Sequence, residues 1–299
     1  MKSSTTDIKK ISLKESSRVA IVYRSHSEKA VKMAKEVTKW LQNRKIEVYT
    51  APGQKLIGKT KFVHGQRMIS SLSFVVVLGG DGTYLRAVSL IDGSQIPVVG
   101  FNMGSLGFLT SSPADKIFDI LSNLLEDKMT VHSRMLLQAQ VFRKGKLKLK
   151  AIALNDVVIE RGSFSQLINL SLSKEKKLIS QIKADAVIIS SPTGSTAYNL
   201  AAGGPLLDPE VKALIITPVA PHSLTSRPLI FPAHRKLNFR MEGTTQKANL
   251  IIDGQEATAL TYEDEIVVEK CPSDHLRIES PQSNFFHLLR EKLKFGDRA

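Results

Sequence analysis

The 299 residues contain one cysteine, Cys271, which excludes an intrachain disulfide framework and any zinc site built from several thiolates. So few thiols fit a reducing, cytoplasmic compartment. No stretch approaches the about 18 apolar residues of a membrane span, so no membrane partner is expected. Residues 1–16 lack an apolar run and are rich in Ser, Thr and Lys, which predicts a disordered tail and not a signal peptide. No internal repeat is evident. Aromatic residues make up 6% of the chain and nowhere interleave with basic ones in the manner of a nucleic-acid-binding module. The net charge, 42 basic less 28 acidic residues or +14, suits anionic partners such as nucleotides or nucleic acid and does not choose between them, a solvated basic surface being the commoner case; it is the lack of such a module that leaves no nucleic-acid partner expected. A hydrophobic content of 42% is enough for the core of one large or two medium domains.

What is present is organised around residues 74–86, FVVVLGGDGTYLR. A continuous apolar, β-branched run ending at two glycines is the pattern of a strand buried on both faces of a parallel sheet. Gly79, Gly80 and Gly82 flank Asp81 without a Cβ, a composition that permits unusual dihedrals and close approach of a phosphate or sugar. Leu85, Val88 and Ile91 predict a helix over residues 83–92. A carboxylate then stands at the carboxyl end of a core strand, before a helix N-terminus, where open α/β sheets hold their ligands. On spacing alone a plain Gly-Asp-Gly turn is the alternative.

Before this stretch, residues 18–23 (RVAIVY) and 46–50 predict strands, and residues 28–43 a helix. Residues 53–60, GQKLIGKT, formally match the Walker A phosphate loop. The competing reading is a basic surface loop, and it is favoured because Thr60, Val63 and Gly65 suit residues 60–65 poorly to the helix that a phosphate loop requires. Residues 96–100 then predict a strand leading into the glycine-containing loop FNMGSLGFLT, and Ser112-Pro113 predict a helix start with Ile117, Ile120, Leu121 and Leu124 on one face. The pattern so far is βαβα, that of an α/β domain with a parallel, Rossmann-like sheet.

From residue 134 the texture changes to successive strands, at 136–142, 148–154, 157–161, 167–173 and 186–190, with a two-residue hairpin signal at Asp253-Gly254. The expected organisation is a tail at 1–16, an α/β domain at 17–133 joined by 275–299, and a β-rich, sandwich-like nucleotide-binding domain at 134–274. The terminal FFHLLREKLKF (285–295) is amphipathic and is expected to return to the first domain. Three polar islands interrupt the β-rich half: Asn155-Asp156, Lys183 to Asp185, and SPTGSTAYNLAAGGP at 191–205. The last combines hydroxyls, an aromatic and glycines after an apolar strand, which suits hydrogen bonding and stacking on a nucleoside. Singly, such residues are commonly caps or turns; jointly with GGDGT they point to a site.

LGGDGTYLRA, NMGSLGFLT, ALNDVVIERG, ADAVIISSPTGSTAYNLAAGGPLLDP, TPVAPHSLTSRPL and IDGQE stand in the order of the NAD kinase family, which the chain resembles over about residues 74–271 and in its terminal helix. GGDGT is shared with lipid kinases and phosphofructokinases; SPTGSTAY with the downstream GGP is more specific. The resemblance implies transfer of the ATP γ-phosphate to the 2′-hydroxyl of the adenosine ribose of NAD, giving NADP. It also implies a divalent metal, magnesium, held mainly through ATP with no metal-ligand set of the protein's own. Asp81 resembles the family's base and, with Gly82, part of its NAD contact. Further NAD contacts implied are Arg86, Asn155, Asp156, Gln166, Lys183, Asp185, Thr196, Ala197, Tyr198, Asn199, Leu200, Ala201 and Gln255. Gln166 falls where other members carry His or Arg, and Asn199-Leu200-Ala201 departs from the usual Ser-Leu-Ser. A homo-oligomer, dimer or tetramer, is expected. A lipid or sugar kinase would share GGDGT without SPTGSTAY, and a nucleic-acid binder would use the charge alone.

Overall fold

The computed structural model describes residues 17–162, 166–175, 177–243, 247–279 and 284–294; the expected tail at 1–16 and residue 295 of the expected terminal helix lie outside them. The chain divides into two compact units, Met1–Ser133 with His275–Ala299, and Arg134–Asp274.

In the first unit, β1 (Arg18–Tyr23), α1 (Glu28–Gln42), β2 (Glu47–Thr50), β3 (Lys61–Phe62), α2 (Gly65–Ile69), β4 (Phe74–Gly79), α3 (Asp81–Ile91), β5 (Val98–Asn102), β6 (Ser112–Pro113) and α4 (Ile117–Leu125) succeed one another. The strands pair in parallel in the order β3-β2-β1-β4-β5-β6. This is the doubly wound order, in which the chain reverses direction between β1 and β4. Val19, Ile21, Phe74, Val76 and Leu78 share a core cluster with Ala30, Ala34, Val37 and Leu41 of α1 and with Ile117, Leu121 and Leu124 of α4. Helical spacing of 3 and 4 puts those side chains on one stripe of each helix, and strand alternation puts theirs on one face of the sheet. The intervening Ala20, Val22, Val75 and Val77 are equally buried, so the strands are covered on both faces, and α3 lies against β1 and β4. Ser27 caps α1 by accepting from the Ala30 amide at 3.3 Å.

Two sequence expectations change here. Ser112-Pro113 do not start a helix. They form β6 against Phe101 and Asn102, and the α-helix begins at Ile117 after a 3₁₀ turn; the extended backbone favoured by Ser-Pro is satisfied equally by a strand edge. Helix α3 starts at Asp81 itself and ends on Asp92 in the left-handed region at φ 41°. The Walker-like segment leads into strand β3 and not into a helix. Its Gln54, Ile57 and Thr60 are buried: Gln54 bonds both the backbone nitrogen and oxygen of Tyr23, and Thr60 Oγ1 lies 2.7 Å from Thr50 Oγ1. Lys59 points to solvent. The loop is a strap over the ends of β1 and β2, without the strand–loop–helix geometry of a phosphate loop.

The second unit is antiparallel. Its elements are β7 (Thr130–Arg143), β8 (Lys146–Ala153), β9 (Asp156–Arg161), β10 (Ile168–Lys174), β11 (Lys177–Ala184), β12 (Ala186–Ser190), α5 (Tyr198–Ala201), β13 (Ala213–Val219), β14 (Leu229–Pro232), β15 (Leu237–Met241), β16 (Ala248–Ile252), β17 (Gln255–Leu260) and β18 (Asp264–Glu279). One sheet runs β14-β13-β12-β9-β16-β17, the other contains β11-β10-β15-β18 with the β7–β8 hairpin beside β18. One core cluster joins them: Val157, Ile159, Val187, Ile189, Leu214 and Leu250 from the first sheet meet Leu137, Leu170, Leu172, Phe239 and Ile266 from the second. Alternate residues of both sheets thus make a β-sandwich core. The β16–β17 turn has Asp253 at φ 49° and Gly254 at φ 77°, the pair of positive dihedrals that a two-residue type I′ hairpin requires. Cys271 is buried, its Sγ 3.4 Å from Ser273 Oγ.

β18 carries the chain back to the first unit, where Arg277 pairs with Val98 of β5. Helix α6 (Phe285–Leu293) comes next, capped by Asn284 Oδ1, which accepts from the amides of Phe286 and His287.

Candidate functional site

In the first unit the site is built at the carboxyl end of β4, beside the reversal of strand order. Asp81 is the first residue of α3 and its carboxylate reaches across to residues 107–110. Oδ2 accepts from the Phe108 amide at 2.9 Å; Oδ1 accepts from the amides of Leu109 and Thr110, both at 3.0 Å, and from Thr110 Oγ1 at 3.1 Å. A Cβ on Gly107 would lie 2.0 Å from Oδ1, so glycine there is a condition of the contact. Around Gly80 and Gly82 a Cβ would meet open space, and neither has a positive φ. Gly80 and Gly82 therefore leave room at the strand end, whereas a Cβ on Gly79 would meet Thr83 Oγ1 at 2.4 Å; the unusual dihedrals that the glycine composition permits are not used. Gly82 is exposed and Arg86 half-buried one turn further along the same helix.

The loop holding Asp81 is itself fixed from the far side of its unit. Ser111 Oγ accepts from Arg277 at 2.9 Å, Arg277 forms a buried ion pair with Glu279 at 2.8 Å, and Lys292 of α6 sits 4.6 Å above the Phe108 ring. Tyr84, fully buried behind Asp81, bonds His275 Nε2 at 2.8 Å.

The second unit brings together most of the remaining expected residues. Asp253, read from the sequence as a hairpin residue and not as a site residue, organises them: Oδ2 accepts from the Leu154 amide at 2.8 Å, Oδ1 from the amides of Asn155 at 2.8 Å and Asp156 at 3.1 Å. Burial pushes its carboxyl above the usual range, and the three amides oppose that shift. Asp156 beside it is buried, and desolvation together with the Asp253 charge raises its pKa to about 7. The SPTG segment packs onto this turn. Ser191 donates from its amide to the Asn155 carbonyl at 2.8 Å and from its hydroxyl to the Leu154 carbonyl. Gly194 comes so close that a Cβ would fall 2.1 Å from Asn155 O.

Tyr198, 43% exposed, presents its ring on α5. Its hydroxyl is held above its ordinary pKa by burial and then by the charges of Glu160, Asp156 and Asp185. Asp185, at the corner between β11 and β12, is paired with Arg161 at 3.0 Å. Thr196, Ala197 and Leu200 are half-buried; Ala201, Gln255, Lys183 and Gln166 are exposed. Gln255 directly succeeds the Asp253-Gly254 turn, Lys183 lies on β11 of the other sheet, and Gln166 precedes β10.

The Asn199 side chain is turned into the fold. It is fully buried, its amide donates to the carbonyls of Ser195 at 3.2 Å and Pro205 at 3.0 Å, and its oxygen accepts from Thr217 at 2.7 Å. Gly204 packs so tightly that a Cβ would sit 2.0 Å from that oxygen. Every donor and the acceptor are used inside the fold, so Asn199 shapes the α5 turn that presents Tyr198.

A carboxylate at the switch point of a doubly wound sheet, and a β-sandwich whose polar turns cluster around an exposed aromatic, define a nucleotide-handling enzyme. Residues 19–129 match the ATP-NAD kinase N-terminal domain and residues 154–280 the ATP-NAD kinase C-terminal domain. The NAD kinase of Bdellovibrio bacteriovorus is 54% identical over 289 residues, covering 97% of this chain and 95% of that protein. That of Syntrophotalea carbinolica is 35% identical over 285 residues, covering 94% and 99%. The chain belongs to the NAD kinase family. Its fold is similar to that of a yeast NADH kinase complexed with NADH, with a TM-score of 0.87, 24% identity, and 95% of this chain and 89% of that one covered.

Proposed function

We propose that Asp81 is the general base in a transfer of the ATP γ-phosphate to the 2′-hydroxyl of the adenosine ribose of NAD. The family assignment over nearly the whole chain supports NAD phosphorylation and an NAD kinase enzyme. The observation that carries the residue assignment is the Asp81 carboxylate, held at a rigid strand end with open space at the neighbouring glycines. In the step, the 2′-oxygen bonds to the γ-phosphorus as the bond from that phosphorus to the β,γ-bridging oxygen breaks. ADP leaves with the bond's electrons, and the hydroxyl proton passes to Asp81. A ribose hydroxyl is a weak nucleophile, and such transfers depend chiefly on positioning and charge neutralisation.

The proposed NAD contacts are Gly82 and Arg86 in the first unit. In the second they are Asn155, Asp156, Lys183, Asp185, Thr196, Ala197, Tyr198, Leu200, Ala201 and Gln255, with Gln166 beyond them. The exposed Tyr198 ring is suited to stacking on a base. Magnesium is proposed to enter with ATP, neutralising the phosphate oxygens, as an ion that keeps few protein ligands. Among the described residues no group of three His, Cys, Asp or Glu side chains is disposed around a metal position. The exposed Leu229 and Ile230 on edge strand β14 support a homo-oligomer, dimer or tetramer. The one buried thiol supports a cytoplasmic setting; among the described residues no helix is long and apolar enough to cross a membrane.

Pure protein given NAD, ATP and magnesium is expected to form NADP, read with an NADP-specific dehydrogenase. Phosphorylation of a lipid or sugar acceptor with NAD left untouched would overturn the reading.

A further inference from the structure

We propose that Thr110 is a positioning residue for the reaction: its hydroxyl locks Oδ1 of Asp81, so that Oδ2 is the oxygen presented to the substrate hydroxyl. This rests on the reading of Asp81 as the base.

The two carboxylate oxygens are unequal. Oδ1 takes three donors, two amides and the Thr110 hydroxyl, and is covered on a further side by Gly107. Among the described residues Oδ2 takes the Phe108 amide alone. Each oxygen of an ionised carboxylate offers about two lone-pair directions. Oδ1 is saturated, and Oδ2 retains a direction in which to accept a proton.

Of the four donors, three belong to the backbone of a loop anchored elsewhere through Ser111 to Arg277 and through Phe108 to Lys292. They cannot move with the carboxylate if it rocks. The fourth is a side-chain hydroxyl on a fully buried residue, and its direction fixes the carboxylate plane about the Cβ–Cγ bond. Replacing it with a methyl group of equal size leaves the three amides in place and removes one of the contacts that resist rotation. Because proton acceptance needs alignment more than binding does, the loss falls on turnover.

Thr110→Val, Thr110→Ser, Asp81→Asn and the double variant Asp81→Asn with Thr110→Val test this, with thermal midpoints recorded for each. Thr110→Val is expected to lower kcat about 10- to 100-fold, the loss of one hydrogen bond to a charged group, with KM for NAD and ATP within about two-fold of wild type. Thr110→Ser keeps the hydroxyl and should restore kcat. In the Asp81→Asn background, Thr110→Val should change kcat by less than about two-fold, because the two act as one unit. A normal kcat in Thr110→Val beside a slow Asp81→Asn overturns this proposal alone, as does an additive loss in the double variant. A folded but slow Thr110→Ser overturns it too, and carries the test if Thr110→Val does not fold. Asp81→Asn at the wild-type rate overturns the base assignment and this proposal with it.

Discussion

Asp81 and Asp253 do the same structural work in different units. Each carboxylate gathers the amides of three consecutive residues, 108–110 in one case and 154–156 in the other. Their surroundings differ. Asp81 opens a helix at a parallel-strand end and has a hydroxyl as a fourth donor and open space at Gly80 and Gly82. Asp253 sits in a hairpin turn with a second buried acid, Asp156, beside it. Hydrogen-bond inventory therefore does not distinguish a base from a brace. Under the proposed reading, the open space beside Asp81 and the charge beside Asp253 do, and the pair can be taken apart experimentally on that ground.

The largest effect expected is at Asp81. Asp81→Asn removes the proposed base and turns an amide donor toward backbone donors, so kcat should fall by about 10² to 10⁴. Lys59→Ala, in the strap that mimics a phosphate loop, should stay within a few-fold of wild type, as is usual for a solvated charge. A dead Lys59 variant beside a near-normal Asp81 variant would reverse the assignment.

Gly107→Ala comes next. Its Cβ would meet Oδ1 at 2.0 Å, and overpacking of that kind costs about 1–3 kcal/mol, so both the thermal midpoint and kcat should drop. Gly82→Ala faces open space and should leave the midpoint within about 1 °C. Equal midpoints for the two would show that the 107–110 loop yields and is no rigid cradle.

Asp156 sharpens the other half. Its pKa is raised from 3.8 to about 7, so the native state keeps a proton that the unfolded chain has released. That contribution to stability is present in full below about pH 4 and is lost as pH rises through about 7. Asp156→Asn cannot ionise, and its midpoint should gain on wild type by on the order of 5 °C between pH 5 and pH 8. A constant difference across that range would mean that Asp156 is ionised throughout. The smallest effect is expected at Cys271. It is buried with its Sγ against Ser273 Oγ and lies in none of the motifs of the site, and Cys271→Ser should leave kcat unchanged; lost turnover in a folded variant would move the site.

Local signals were legible in proportion to how local their physics is. The strand entering GGDGT, the helix stripe of α1, the alternating strands of the second unit and the Asp-Gly hairpin all rest on near neighbours or on period. Ser112-Pro113 failed because a capping signal and a strand edge make the same demand on the backbone. The direction in which Asn199 faces was not legible, because a polar residue in a polar motif gives no sign of it.

By itself the sequence determined the two-unit plan, the family and the position of Asp81, since periodicity, composition shift and an ordered set of motifs survive in one dimension. The tertiary structure alone decided that Asp81 meets residues 108–110, 27 to 29 positions away, and that Asp253 meets residues 154–156, 97 to 99 positions away. It also decided that Gly107 and Gly194 must lack a side chain. These contacts join segments brought together by sheet pairing and core packing, and no short-range preference encodes which distant amide a carboxylate will find.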